Sequence, residues 1–165
     1  MTMATKTDVQ VYRVYIKATP EAIWDAITKP EWNKRYGYRS SAEYELSPGG
    51  AYRAFASEEM SAQGAPAVII DGEVVEVDPP RKLVQTWHAL FDEETTAEPA
   101  TRLTWEITED PLAGATVLTV THELEGAPRT ATLTSGYGGE GAGGGWSWIL
   151  SDLKTLLETG SAIGG

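Results

Sequence analysis

From Tyr38 to Leu124 the chain repeats one device, an apolar–polar alternation cut at short intervals by turn-forming residues. In the first such run, Tyr38 to Leu46, the residues Ala42, Tyr44 and Leu46 alternate with Ser41, Glu43 and Glu45. The turn "SPGG" (Ser47 to Gly50) leads into Ala51 to Ser57, and a polar loop ending at Pro66 leads into Ala67 to Val77. "DPPRK" then returns the chain as Leu83 to Leu90. After an acidic loop, Thr101 to Thr108 sets Leu103, Trp105 and Ile107 against Arg102, Thr104 and Glu106. "EDPLAGA" closes that run, and Thr116 to Leu124 follows with Leu118, Val120, His122 and Leu124 on one face. Hairpin spacing leaves no room for the roughly twelve residues of a parallel crossover, so these six runs make an antiparallel meander.

A further strand precedes the meander at Val9 to Ala18, with Tyr12, Val14 and Ile16 alternating against Arg13, Tyr15 and Lys17. It stops at "ATPEAIWDAITKP": Thr19 is an N-cap, Pro20 takes the first helical position, and Ile23, Ala26 and Ile27 make an apolar face. Pro30 ends this helix, and a second short one runs from Pro30 to Tyr36 with Trp32 and Tyr36 at helical spacing. At the far end, Trp146, Ile149, Leu150, Leu153, Leu156 and Leu157 cluster on one side of a long helix that Gly160 stops. Trp148 falls on its polar side. The stripe must face the sheet, and a strongly twisted sheet curls round such a helix instead of lying flat on it. That geometry leaves a cavity between them, with the two short helices plugging one end.

Seven of the ten residues from Gly136 to Gly145 are glycine. Two readings of this run stay open: a hinge that lets the long helix act as a lid, or a plain linker. The length fits one domain, residues 9–160, with flexible ends at 1–8 and 161–165.

The net charge of −11 argues against a nucleic-acid partner or an anionic membrane surface. "MTMATKTDVQ" has no apolar h-region, and no run approaches the roughly 20 apolar residues of a membrane span. The absence of cysteine fits a reducing compartment, and a cytoplasmic location is the expectation. The acidic patch Asp92, Glu93, Glu94 and Glu98 reads as a solvated loop. There is no phosphate loop, nucleophile elbow or metal-ligand spacing, so no metal and no cofactor are expected.

The aromatics carry more information. Six tryptophans and seven tyrosines against two phenylalanines favour rings with a polar handle. Tyr44, Tyr52, Trp87, Trp105 and Trp146 lie in elements bordering the expected cavity, with Trp32 and Tyr36 at its plugged end and Leu150 and Leu153 reaching it from the long helix. Such walls suit a moderately apolar, ring-bearing ligand; the same rings could equally fill a solid core. His122 points inward with Leu118 and Val120, either as a polar anchor or general base, or as a neutral, hydrogen-bonded core histidine. On Leu83 to Leu90 the pattern alone does not say whether Leu83, Gln85 and Trp87 or Val84, Thr86 and His88 face inward.

The segments "VYIKATPEAIWDAITKPEWNKRY", "LSPGGAYRAF", "DGEVVEVDPPRKLVQTW" and "GGGWSWILSDLKTLLETG" resemble the heat-shock-protein ATPase activator-like family. That family belongs to the START-like (SRPBCC, birch-pollen-allergen-like) superfamily. The resemblance runs from about Val9 to Gly160, and departs from the pattern in the glycine run and between Glu125 and Ser135. It implies an α+β helix-grip fold: a seven-stranded, curved antiparallel sheet around a long C-terminal helix, with two short helices between strands 1 and 2. Members of the family are mostly bacterial. Superfamily relatives bind lipids, sterols, polyketides or plant hormones, some are aromatases or cyclases, and the eukaryotic namesake stimulates a chaperone ATPase.

The leading expectation is therefore a binding protein, more than an enzyme, for a hydrophobic or aromatic small molecule or lipid. Its site would comprise Trp32, Tyr36, Tyr44, Tyr52, Trp87, Trp105, His122, Trp146, Leu150 and Leu153. One alternative is cyclase, aromatase or hydrolytic chemistry in the same cavity, with His122 as the acid–base group. Another, carried by the family resemblance alone, is a co-chaperone or stress-response interaction module.

Overall fold

The computed structural model describes residues 8–136 and 143–164. Its strands are β1 (Val9–Ile16), β2 (Ala42–Tyr44), β3 (Ala51–Phe55), β4 (Val68–Asp78), β5 (Lys82–Ala89), β6 (Thr101–Asp110) and β7 (Ala115–Glu123). Helices α1 (Pro20–Thr28) and α2 (Pro30–Asn33) follow β1. Helices α3 (Glu58–Ala62) and α4 (Glu93–Ala97) interrupt the meander, and α5 (Pro128–Ser135) and α6 (Gly145–Thr159) come after it.

The strands form one seven-stranded antiparallel sheet in the order β1-β7-β6-β5-β4-β3-β2. The six strands β2 to β7 follow chain order, as hairpin spacing requires. The first strand cannot join α1 and α2 to a sequential neighbour, and pairs instead with the last, from Val9↔Glu123 to Ile16↔Thr116. The face left open on β5 is now fixed: Leu83, Gln85, Trp87 and Ala89 are buried on the concave side, whereas Thr86 and His88 are half-exposed. Between Val74 and Glu76 the β4–β5 register shifts, a bulge that bends the strand. Gly72 sits nearby, where any Cβ would collide with the Thr86 carbonyl.

Helix α6 lies in the concavity. Trp146, Leu150, Leu153 and Leu156 are buried there, Ile149 and Leu157 pack partly against the same cluster, and Trp148 is half-buried. Thr19 caps α1 by accepting from the Ala22 N–H at 3.1 Å, and Ile23, Ala26 and Ile27 seal one end of the core.

The second short helix ends at Asn33 rather than Tyr36, because Asn33 is buried and serves as a clasp. Its Nδ2 donates to the carbonyls of Ile27 (3.2 Å) and Ala42 (3.1 Å), and its Oδ1 accepts from the Ala42 N–H at 2.9 Å. The clasp fixes where β2 begins. Buried Asp152 of α6 plays the same part elsewhere: it accepts from the Gly37 N–H at 2.8 Å and from the Ile163 N–H at 2.6 Å. The loop after α2 and the chain's tail are thereby tied to one carboxylate.

Asp92, Glu93 and Glu94 are exposed, as a solvated patch should be, but the segment is a short helix and not a plain loop. Asp92 caps α4 in a capping box with Thr95, and Glu98 reaches across to cap α5. Glu98 accepts from the N–H groups of Arg129 (2.7 Å) and Thr130 (2.9 Å), and from the Thr130 hydroxyl at 2.7 Å.

Candidate functional site

Between the concave sheet, α2, α5 and α6 lies a cavity of about 410 Å³, within the roughly 300–1,000 Å³ typical of small-molecule sites. Period two sends Tyr44 (β2), Tyr52 and Ala54 (β3), Trp87 (β5) and Trp105 (β6) to the inner face, where all five line it. Tyr36 closes the α1–α2 end, and Trp146 and Ile149 face it from α6. Tyr44 and Tyr52 stack with centroids 4.7 Å apart, and Trp105 meets Trp146 edge-on at 5.4 Å. The result is a ring-lined box.

Most polar handles on these rings are already spent on the protein. Tyr36 donates to the Ala26 carbonyl at 2.9 Å. Tyr44 Oη and Trp105 Nε1 both donate to Gln85 Oε1, at 2.7 and 3.0 Å. Burial raises the Tyr36, Tyr44 and Tyr52 hydroxyls well above the ordinary phenol value, and neighbouring phenols push Tyr36 and Tyr44 further. These phenols are neutral at physiological pH. Gln85, fully buried, is the group that lets two inward-facing rings sit in an apolar wall without an unmet donor.

His122 stands one layer behind. Trp146 Nε1 donates to its Nδ1 at 3.1 Å, and its Nε2 lies 2.8 Å from Thr101 Oγ1, which donates to the Trp87 carbonyl at 2.6 Å. An indole only donates, so Nδ1 carries no proton; the Thr101 proton is committed, so Nε2 is the donor. One chain of bonds fixes a neutral imidazole, and burial lowers its pKa to about 3. Both nitrogens are occupied, which leaves no lone pair for abstracting a proton from a guest.

Of the residues singled out from sequence, Tyr36, Tyr44, Tyr52, Trp87, Trp105 and Trp146 meet at the cavity. Leu150 and Leu153 are buried in the core beneath it and do not line it, nor does His122. Trp32 is also outside it; its ring is covered instead by the Arg35 guanidinium, 4.7 Å from the centroid. The wall contains residues that the sequence reading passed over: Asn33, Tyr38, Met60, Ile69, Phe91, Asp92, Arg129, Leu133 and Thr134. Several belong to α3, α4 and α5 or their flanks, elements with no strong apolar period to mark them. The lid reading of the glycine run falls largely on 137–142, outside the described residues. Gly145 has a structural reason to be glycine: φ is +65°, and a Cβ would collide with the Thr134 carbonyl.

Among the described residues, no group of His, Asp or Glu side chains could hold a metal ion, and no helix is long and apolar enough to cross a membrane.

A seven-stranded antiparallel sheet gripping a C-terminal helix around an internal cavity defines a START-like helix-grip protein. The family model of Activator of Hsp90 ATPase homolog 1-like proteins matches residues 17–158, and the chain belongs to that family. No curated protein matches it. Solved structures with the same fold include CalU16 from Micromonospora echinospora (20% identical, TM-score 0.64, covering 95% of this chain and 69% of that one). Protein MLL2253 from Mesorhizobium loti is 20% identical with a TM-score of 0.66, over 90% of this chain and 96% of that one. DynU16, a protein of the dynemicin biosynthetic locus, is 23% identical with a TM-score of 0.66, over 94% of this chain and 49% of that one.

Proposed function

We propose that the protein binds an apolar, ring-bearing small molecule in the cavity between the sheet and α6, and does so without transforming it. The observation that carries this is the aromatic box itself: about 410 Å³ walled by Tyr44, Tyr52, Trp87, Trp105 and Trp146. The Tyr44, Trp105 and Trp146 protons are already committed. Such a lining loses little on desolvation and gains from stacking against a planar guest. The commitment of both His122 nitrogens favours binding over acid–base turnover. A protein of similar fold lies in a biosynthetic locus, which agrees with a small-molecule metabolite as guest.

Tryptophan fluorescence titrations with fused-ring compounds of increasing size, backed by native mass spectrometry, test the reading. One-to-one saturable binding is expected, and it should vanish when Ala54 is enlarged to Phe so that its ring enters the box. Absence of saturation with every ring compound, under conditions where the protein is folded, refutes it.

A further inference from the structure

Most polar groups on the cavity wall are consumed by the protein, and the exceptions mark where a guest can be held. The Asn33 side chain is taken up by Ile27 and Ala42, and Thr134 donates to Gln10 Oε1 at 2.9 Å. Arg129 gives an Nη2 proton to Asp92 Oδ2 at 3.2 Å, and its Nε is sealed from any surface. Tyr38 accepts from the Gly145 N–H at 2.9 Å and is 37% exposed, a rim position open to solvent. Deeper in the box, Gln85 Oε1 accepts from both Tyr44 and Trp105, which occupies its two lone pairs.

Two groups remain, and they are neighbours. Neither Tyr52 Oη nor Trp87 Nε1 closes a hydrogen bond of ordinary geometry among the described residues. Arg129 Nε is the one side-chain nitrogen or oxygen among those residues that is both unpartnered and without surface, so these two atoms retain some. Their side chains are only 5% and 6% exposed and line the cavity, so that surface opens on it. Strand register brings them together. Tyr52 of β3 lies across from Gly72 of β4, and the pairs Asp71↔His88 and Val74↔Gln85 carry Gly72 across from Trp87 of β5. Glycine leaves no side chain between the two rings. Burial raises the Tyr52 pKa, and the Trp87 and Gln85 side chains, leaning on its oxygen, offset part of that rise.

This arrangement sets the direction of the unmade bond. Trp87 can face the phenol oxygen only as a donor, so the phenol proton is left for the cavity. A carbonyl oxygen would accept it and bring no proton of its own. A guest hydroxyl would bring one, with Gln85 Oε1 already full.

We infer that Tyr52, positioned by Trp87, donates its hydroxyl proton to a carbonyl oxygen of the guest, so that the cavity selects aryl ketones and quinones over the matching alcohols. This rests on the binding reading above and adds a polar specificity to it.

Three probes share one skeleton and differ at one group: 2-acetylnaphthalene, 1-(2-naphthyl)ethanol and 2-ethylnaphthalene. The hydrocarbon is held by the box alone, so the ratio of acetyl to ethyl affinity, compared between wild type and Y52F by tryptophan fluorescence, isolates the anchor. That ratio should fall roughly fivefold in Y52F, as expected for one neutral hydrogen bond. In wild type the alcohol should bind roughly tenfold more weakly than the ketone, the effect of a stranded donor. The urea midpoint of Y52F should match or exceed that of wild type, whereas Y36F, which loses the bond to Ala26, should unfold earlier. An unchanged ratio overturns the anchor and leaves the pocket standing; no binding of any probe overturns both. An alcohol that binds as tightly as the ketone overturns the selection of a proton-free acceptor. A Y52F chain that unfolds much earlier, or does not fold, shows the hydroxyl engaged within the protein and rejects the anchor. The carbonyl stretch of 2-acetylnaphthalene bound to wild type gives a second readout. A value below that in hydrocarbon solvent supports the anchor, and an unshifted one rejects it.

Discussion

Replacing His122 by glutamine should make the protein markedly less sensitive to acid. The imidazole is neutral and buried, with a pKa lowered from 6.5 to about 3. Because the folded value lies below the unfolded one, the unfolded chain takes up the proton first as pH falls. The contribution to stability is therefore fully present above about pH 6.5 and is lost progressively towards pH 3. Each pKa unit corresponds to about 1.4 kcal/mol, so the loss at pH 5 relative to pH 7.5 is about 2 kcal/mol from this residue alone. Glutamine can accept from Trp146 and donate towards Thr101, yet does not titrate. Urea unfolding of wild type and H122Q at both pH values isolates the term, since the acidic side chains common to both cancel. The wild type should lose about 2 kcal/mol more than the variant between the two conditions. Equal losses would show that His122 is not held neutral, and would reopen it as an acid–base group.

Other perturbations separate wall from core. Ile149→Trp projects into the cavity and should abolish ring binding with little loss of stability, whereas Leu150→Trp and Leu153→Trp overpack solid core and should cost about 1–3 kcal/mol in urea unfolding. Asp152→Ala strands the Gly37 and Ile163 N–H groups and should lower stability by roughly 3 kcal/mol, with amide exchange rising at both. Gly145→Ala meets both a left-handed backbone and the Thr134 carbonyl, and should cost about 1–3 kcal/mol by thermal or urea unfolding.

The strands and α6 were legible because burial on one face imposes a period, and the period is written in residues such as Leu103, Trp105 and Ile107 or Leu150, Leu153 and Leu156. Helix α5 was not, and the reason is physical. Its sequence "PRTATLTS" is rich in threonine, a weak helix former, and its buried residues are Thr130 and Thr134. It is a helix because Glu98, some thirty residues earlier, caps it, because Gln10 Nε2 donates to the Ala131 carbonyl at 2.8 Å, and because Gly136 turns left-handed at its end. A cap drawn from a distant loop leaves no local trace. The same distance concealed the Asp92–Arg129 pair. The inward set on β5 was undecidable for a different reason: Val84 is as buried as Leu83, so the alternation there does not separate the faces. Inward tyrosines and tryptophans were visible in sequence, but whether they filled the space or framed it depended on Gln85 absorbing their protons, a contact no spacing encodes.

The most direct measurement is a crystal structure of the protein grown with 2-acetylnaphthalene. The account requires the naphthalene ring between Tyr44, Tyr52, Trp87, Trp105 and Trp146. Density showing those side chains collapsed into one another, with the compound elsewhere or nowhere, would contradict it.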